Sequence, residues 1–194
     1  DLIVSRGLGD VYKRQILAEE SGKSAKDLGD VFWVIDPLDG TANYNREIPM
    51  CCVSIALVKN MKPMLGVIYD FNNDHIYAGD KFSNTSTINN EPINVSNVEN
   101  KENGILITGL PHNSDYSDES LSKMIKDMQT WKKVRMIGSA AIAACYIASG
   151  KGDRYEEKGV YLWDIIAGAA IVESAGGTAE ILNLRENFQV DVVF

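Results

Sequence analysis

Trp33-Val34-Ile35-Asp36-Pro37-Leu38-Asp39-Gly40-Thr41 joins an apolar run to a short acidic turn. Residues 31–35 are β-branched or aromatic, which predicts a buried strand, and Asp36 before proline ends it. Two carboxylates on the two sides of that turn can share a bridge between hard cations. Proline fixes φ, so their oxygens are placed before metal arrives. Gly40 lets the backbone approach a ligand closely, and Thr41 opens a helix whose free N–H groups face an anion. Each aspartate alone has a structural explanation: Asp36 as a turn residue, Asp39 as a cap for the following helix, and Asp164 as the cap of its own helix. Taken together, at element ends where side chains converge outside a sheet, and with Glu19-Glu20 upstream, they point to a metal centre.

Outward from this stretch, residues 51–58 and 64–69 read as further strands, the first too apolar to have a solvated face. Asn72-Asn73-Asp74 turns the chain into a strand at 75–78, and Asn89-Asn90 separates strands at 86–88 and 93–95. Residues 104–108 form another strand. Ser117, with Asp118 and Glu119, starts a helix whose positions Leu121, Met124, Ile125, Met128 and Trp131 form one apolar face, read as core. Residues 139–149 are small and apolar nearly all round, as in a helix packed on several sides, with Gly150 as its stop. Asp164 opens a helix to Ala175, closed by Gly176-Gly177 before a strand at 178–182. Antiparallel pairs dominate the first half, and strands alternate with helices in the second. The fold class is α/β in layers, and no repeat or linker divides it.

Of 194 residues, 45% are hydrophobic and 24% charged, which is ordinary for one domain with a core. No apolar run is long enough for a membrane span, so the chain is expected to be cytoplasmic with no membrane partner. Net charge −8 argues against a nucleic-acid surface. An acidic protein takes a phosphate substrate only where bound cations invert the local field. Cys51, Cys52 and Cys145 show no metal-ligand spacing and read as small hydrophobes.

The opening stretch resembles the signature strand and turn of the inositol monophosphatase family, and Ala42-Asn43-Tyr44 continues in that manner. Leu162-Trp163-Asp164-Ile165-Ile166-Ala167-Gly168, with Glu173-Ser174-Ala175-Gly176-Gly177 downstream, is similar to the family's C-terminal motif. Val134-Arg135-Met136-Ile137-Gly138-Ser139-Ala140-Ala141 is similar to its segment before the small-residue helix. The resemblance runs from about Ile16 to the C-terminus. It implies an αβαβα sandwich and two or three Mg2+ ions held by Glu19, Asp36, the carbonyl of Leu38, Asp39 and Asp164. Gly40 and Thr41 would hold phosphate, Glu157 would accept a substrate hydroxyl, and Ser139 and Ala140 would border the pocket. Glu19, Thr41 and Asp39 would serve catalysis. Ala18 stands where the family has glycine, which leaves Glu20 as the alternative to Glu19.

The implied reaction is direct transfer of a phosphoryl group to water, with sensitivity to lithium and a homodimer as the assembly. The substrate would be a small-molecule phosphate monoester, inositol monophosphate or a similar polyol phosphate. The alternatives are a bisphosphate nucleotidase, a histidinol-phosphate phosphatase, a fructose bisphosphatase, or a non-catalytic metal-dependent binding protein. Ala42, where nucleotidases carry lysine, disfavours the first of these. Residues 1–15 lack a clear period and are expected to be a non-native leader, with 16–194 as one phosphatase domain. The family's two N-terminal helices and first strands have no counterpart in so short a leader, so the sandwich is expected to lack its N-terminal helical layer. His75 and His112 are expected to be loop residues.

Overall fold

A computed structural model of the protein describes residues 15–20, 22–23, 28–110 and 116–194. Of the expected leader at residues 1–15, all but Gln15, which begins the first strand, lies outside the described residues, as does the loop assignment of His112. The first eight strands are β1 (Gln15–Ala18), β2 (Gly22–Lys23), β3 (Val31–Asp39), β4 (Cys52–Lys59), β5 (Lys62–Asp70), β6 (His75–Asp80), β7 (Thr85–Ile88) and β8 (Glu91–Pro92). They form one sheet in the order β2-β1-β3-β4-β5-β6-β7-β8. Its pairs are antiparallel except β1 with β3. The second sheet contains β9 (Ile105–Thr108), β10 (Lys133–Met136), β11 (Arg154–Tyr161), β12 (Glu180–Leu182) and β13 (Gln189–Val193), in the order β10-β9-β11-β13-β12. Here β10, β9 and β11 run parallel because helices carry the chain between them.

Four α-helices complete the described residues: α1 (Thr41–Tyr44), α2 (Asp118–Met128), α3 (Ala140–Ala148) and α4 (Leu162–Ser174). Helices α3 and α4 pack on each other; α4 lies along β3 to β6 of the first sheet, and both helices touch β11 of the second. This layered α/β arrangement is the expected class. The close fit follows from composition. A Cβ at Gly66 of β5 would lie 2.2 Å from the carbonyl oxygen of Ala167, and one at Gly79 of β6 would lie 2.4 Å from Cα of Ile171, so only glycine admits the α4 backbone this close. One core cluster contains Leu17, Phe32, Val34, Ala56 and Ile68 of the first sheet, nearly all of α3, most of α4, and Tyr155, Val160, Val190 and Val192 of the second. Among the described residues no helix is long and apolar enough to cross a membrane.

Several expectations shift. The strand expected at residues 31–35 continues to Asp39, because an irregularity between Asp36 and Asp39 lets Asp39 pair again with Cys52. The hairpin partner expected at 93–95 falls at Glu91–Pro92, since Asn89 (φ 48°) and Asn90 (φ 70°) both take left-handed conformations and reverse the chain within two residues. β4 does have a more open face: Val53, Ile55 and Leu57 alternate with its buried residues and are only half-buried. His75 belongs to β6 rather than to a loop. The apolar face of α2 is not core, for the helix buries no residue fully and Ile125 is 49% exposed. Helix α4 begins at Leu162, two residues before Asp164. Strands β10, β11 and β13 were not expected; charged residues and a register shift between Lys158 and Val160 break any period in β11.

Candidate active site

Asp36 lies at the end of the regular part of β3, where alternation turns every second side chain inward, as with Phe32 and Val34. It is 1% exposed, and its Oδ1 accepts the N–H of Leu38 at 2.9 Å, so the turn's own backbone holds the carboxylate. Asp39 follows the irregularity and is also buried. Its Oδ2 accepts from the Ser139 hydroxyl (2.5 Å) and the Ala141 N–H (2.8 Å), with the Cys52 thiol at 3.9 Å. Asp164 sits in the first turn of α4, where its Oδ2 accepts the Tyr161 N–H at 3.0 Å. It caps this helix from inside the first turn, not from its start.

Each of Asp36, Asp39 and Asp164 offers an oxygen within 4.8 Å of the others. Burial first and charge second make these three costly to ionise together. Asp36 is raised to about 7 by desolvation, then by Asp39, and further by Glu19. Asp39 is raised to about 6 by its burial, against the opposing hydrogen bonds of Ser139 and the α3 backbone. Asp164 is pushed well above the usual carboxylate range by burial and by Asp39. Three desolvated hard oxygens packed this closely fit a divalent cation, whose charge would offset their repulsion. Burial pushes the Cys52 thiol beside Asp39 far up.

Glu19, just past β1, is exposed and outside this trio, but its charge acts on Asp36, Asp39 and Asp164. Leu38 gives its carbonyl to the Thr41 hydroxyl at 3.0 Å. Gly40 has φ 84°, and a Cβ there would lie 2.7 Å from the carbonyl oxygen of Met50. Helix α1 opens at Thr41 as expected and is a single turn. Glu157, on β11, is raised to about 7 by burial; the Tyr155 hydroxyl donates to its Oε2 at 3.0 Å, and Asp39 acts on it electrostatically. Gly109 backs Glu157 so closely that a Cβ would lie 2.3 Å from its carboxylate. Ser139 and Ala140 are buried at the start of α3, with the Ser139 side chain committed to Asp39. The sequence reading missed Tyr155 and the structural part of Asn43, whose Nδ2 donates to the carbonyls of Met50 (2.8 Å) and Ile137 (2.9 Å). The segment Ala42-Asn43-Tyr44 marked Asn43 as a motif residue, but its remote partner 94 residues away left no local signal.

Fold and carboxylates together define a layered α/β protein with an acidic centre of the kind that holds divalent cations. The family model described as the inositol monophosphatase family matches residues 1–189, and the chain belongs to that family. A Xylella fastidiosa protein named Nus factor SuhB is 36% identical over 163 residues, covering 84% of this chain and 58% of its own length. An inositol-1-monophosphatase of Synechocystis is 37% identical over 164 residues, again 84% of this chain and 56% of that protein. The chain thus spans less than two thirds of these relatives. The inositol monophosphatase structure from Anabaena superposes with a TM-score of 0.82 at 32% identity, covering 98% of this chain and 78% of that one. Proteins of the family are metal-dependent, in keeping with the trio.

Proposed function

We propose that the protein hydrolyses a small phosphate monoester, inositol monophosphate or a similar polyol phosphate, with Mg2+ as the cation. The observation that carries this is the trio of buried Asp36, buried Asp39 and half-buried Asp164, whose oxygens lie within 4.8 Å of one another, in a chain whose relatives include a protein named inositol-1-monophosphatase. Bound magnesium supplies positive charge to the phosphoryl oxygens and acidity to the attacking water. Asp36, Asp39, Asp164 and the Leu38 carbonyl hold the cations, with Glu19 at the rim. The Thr41 hydroxyl, spending its proton on Leu38, leaves its lone pairs to accept from water, and Glu19 shares in orienting that water. Gly40 keeps the backbone open for phosphate. Glu157, near its midpoint at neutral pH, can accept or donate to a substrate hydroxyl.

The net charge of −8 supports a small phosphate ester rather than nucleic acid as the partner. A phosphate-release screen over inositol monophosphates, histidinol phosphate, bisphosphonucleotides and sugar bisphosphates, with and without EDTA, tests the reading. Magnesium-dependent release, highest on a polyol monophosphate, is expected. Preference for a bisphosphate would move the substrate within the family, and no release from any ester would leave a metal-dependent binding protein.

A further inference from the structure

The strongest unassigned feature is the pair of contacts that join the acidic turn to α3. Ser139 caps α3, its Oγ accepting the Ile142 N–H at 3.1 Å, while the same hydroxyl donates to Asp39 Oδ2. The Ala141 N–H adds a second donor to the same oxygen at 2.8 Å. Four residues beyond Asp39, Asn43 ties the turn to the chain just ahead of Ser139 through the Ile137 carbonyl. Gly138 takes φ 76°, and a Cβ there would lie 3.1 Å from Asn43 Nδ2, so the loop is shaped to run against this amide. Asp39 is therefore held by donors from a segment about a hundred residues away in sequence.

We infer that Ser139 and Asn43 are positioning residues that lock Asp39 before cation arrives, leaving Oδ1 as its ligating oxygen and giving Ser139 no direct part in holding substrate. The inference rests on the metal reading of the trio. A carboxylate whose second oxygen is already saturated by donors cannot swing to chelate through both oxygens, so cation affinity depends on this latch. A serine that only capped α3 would act through helix stability, whereas a latch acts through one hydroxyl on one carboxylate oxygen.

Isothermal titration of the metal-free protein with magnesium chloride separates the two. Ser139→Ala and Ser139→Gly are both expected to weaken binding by roughly 10–100-fold, the range for partners that orient a metal ligand. Ser139→Thr, which keeps the hydroxyl, should restore wild-type binding. Glycine is nearly as good a cap as serine, so Ser139→Gly should bind weakly while melting close to wild type. Asn43→Ala, at a separate position, should also weaken binding. Weakened binding in Ser139→Ala alone, with Ser139→Gly at wild-type affinity, would show cap stability at work and overturn the inference. Unchanged affinity in folded Ser139→Gly and Asn43→Ala would overturn it too. A wild-type protein that binds no magnesium would remove the metal reading, and this inference with it.

Discussion

A carboxylate buried as fully as Asp36, beside Asp39, Asp164 and Glu19, holds its proton to about pH 7, whereas the unfolded chain releases it near 3.8. Between these values the folded state binds more protons than the unfolded one, so this group's contribution to stability falls as pH rises. It is fully present below the unfolded value and lost as pH passes through about 7; Asp39, raised to about 6, acts in the same direction. Metal-free protein is expected to gain melting temperature from pH 8 to pH 5.5, with saturating magnesium narrowing the gap because cation takes the place of the protons. Thermal scans at several pH values, with and without EDTA, check this; a metal-free melting temperature that rises with pH would refute it. Asp36→Asn removes the ligand charge and the unfavourable ionisation together. Its hydrolysis should fall by more than the roughly 100-fold seen for residues that merely orient ligands. The metal-free variant should melt no lower than wild type at pH 8. Phosphate release paired with a melting curve reads both, and near-normal turnover would remove Asp36 from the centre.

Helix α4 carries Asp164 in its first turn and rests on β5 and β6 through contacts with no room for a methyl group. Gly79→Ala would place a Cβ 2.4 Å from the Ile171 backbone, which cannot yield as a flexible side chain would. The expected cost is about 1–3 kcal/mol, visible as a lower denaturant midpoint with an unchanged slope. An unchanged midpoint would mean that the helix shifts freely on the sheet. Helix α3 was readable in sequence because it is small and apolar nearly all round, and α4 because an acidic start and a Gly176-Gly177 stop bracket it. Helix α2 shows the limit of such reading: its period gives the helix correctly, but the period reports which side is apolar and not what covers it. Strand β11 could not be read, because Arg154, Glu156, Glu157 and Lys158 and the register shift before Val160 leave it no apolar period.

The acidic centre draws on both sheets and on the helices between them: Asp36 and Asp39 from the first sheet, Ser139 from the start of α3, Asp164 from α4, and Glu157 from the second sheet. A ligand that binds only this assembled state stabilises the whole molecule. Magnesium at 100 times its dissociation constant should add about 2.7 kcal/mol. For a chain of this size that raises the melting temperature by roughly 5–10 °C. Hydrogen exchange should slow in β3 and in β11 together, and protection confined to β3 would show that the layers open independently. The sequence by itself determined the family and the acidic turn, because in Asp36-Pro37-Leu38-Asp39-Gly40-Thr41 the carboxylates, proline and glycine are neighbours along the chain. It also determined the two central helices, since all-round composition in α3 and start and stop residues in α4 are local properties. Only the tertiary structure decided that Ser139 would bond Asp39, that Asn43 would reach Ile137, and that Gly109 would back Glu157. Those contacts join segments dozens of residues apart, and the packing that brings them together leaves no periodic trace in either segment.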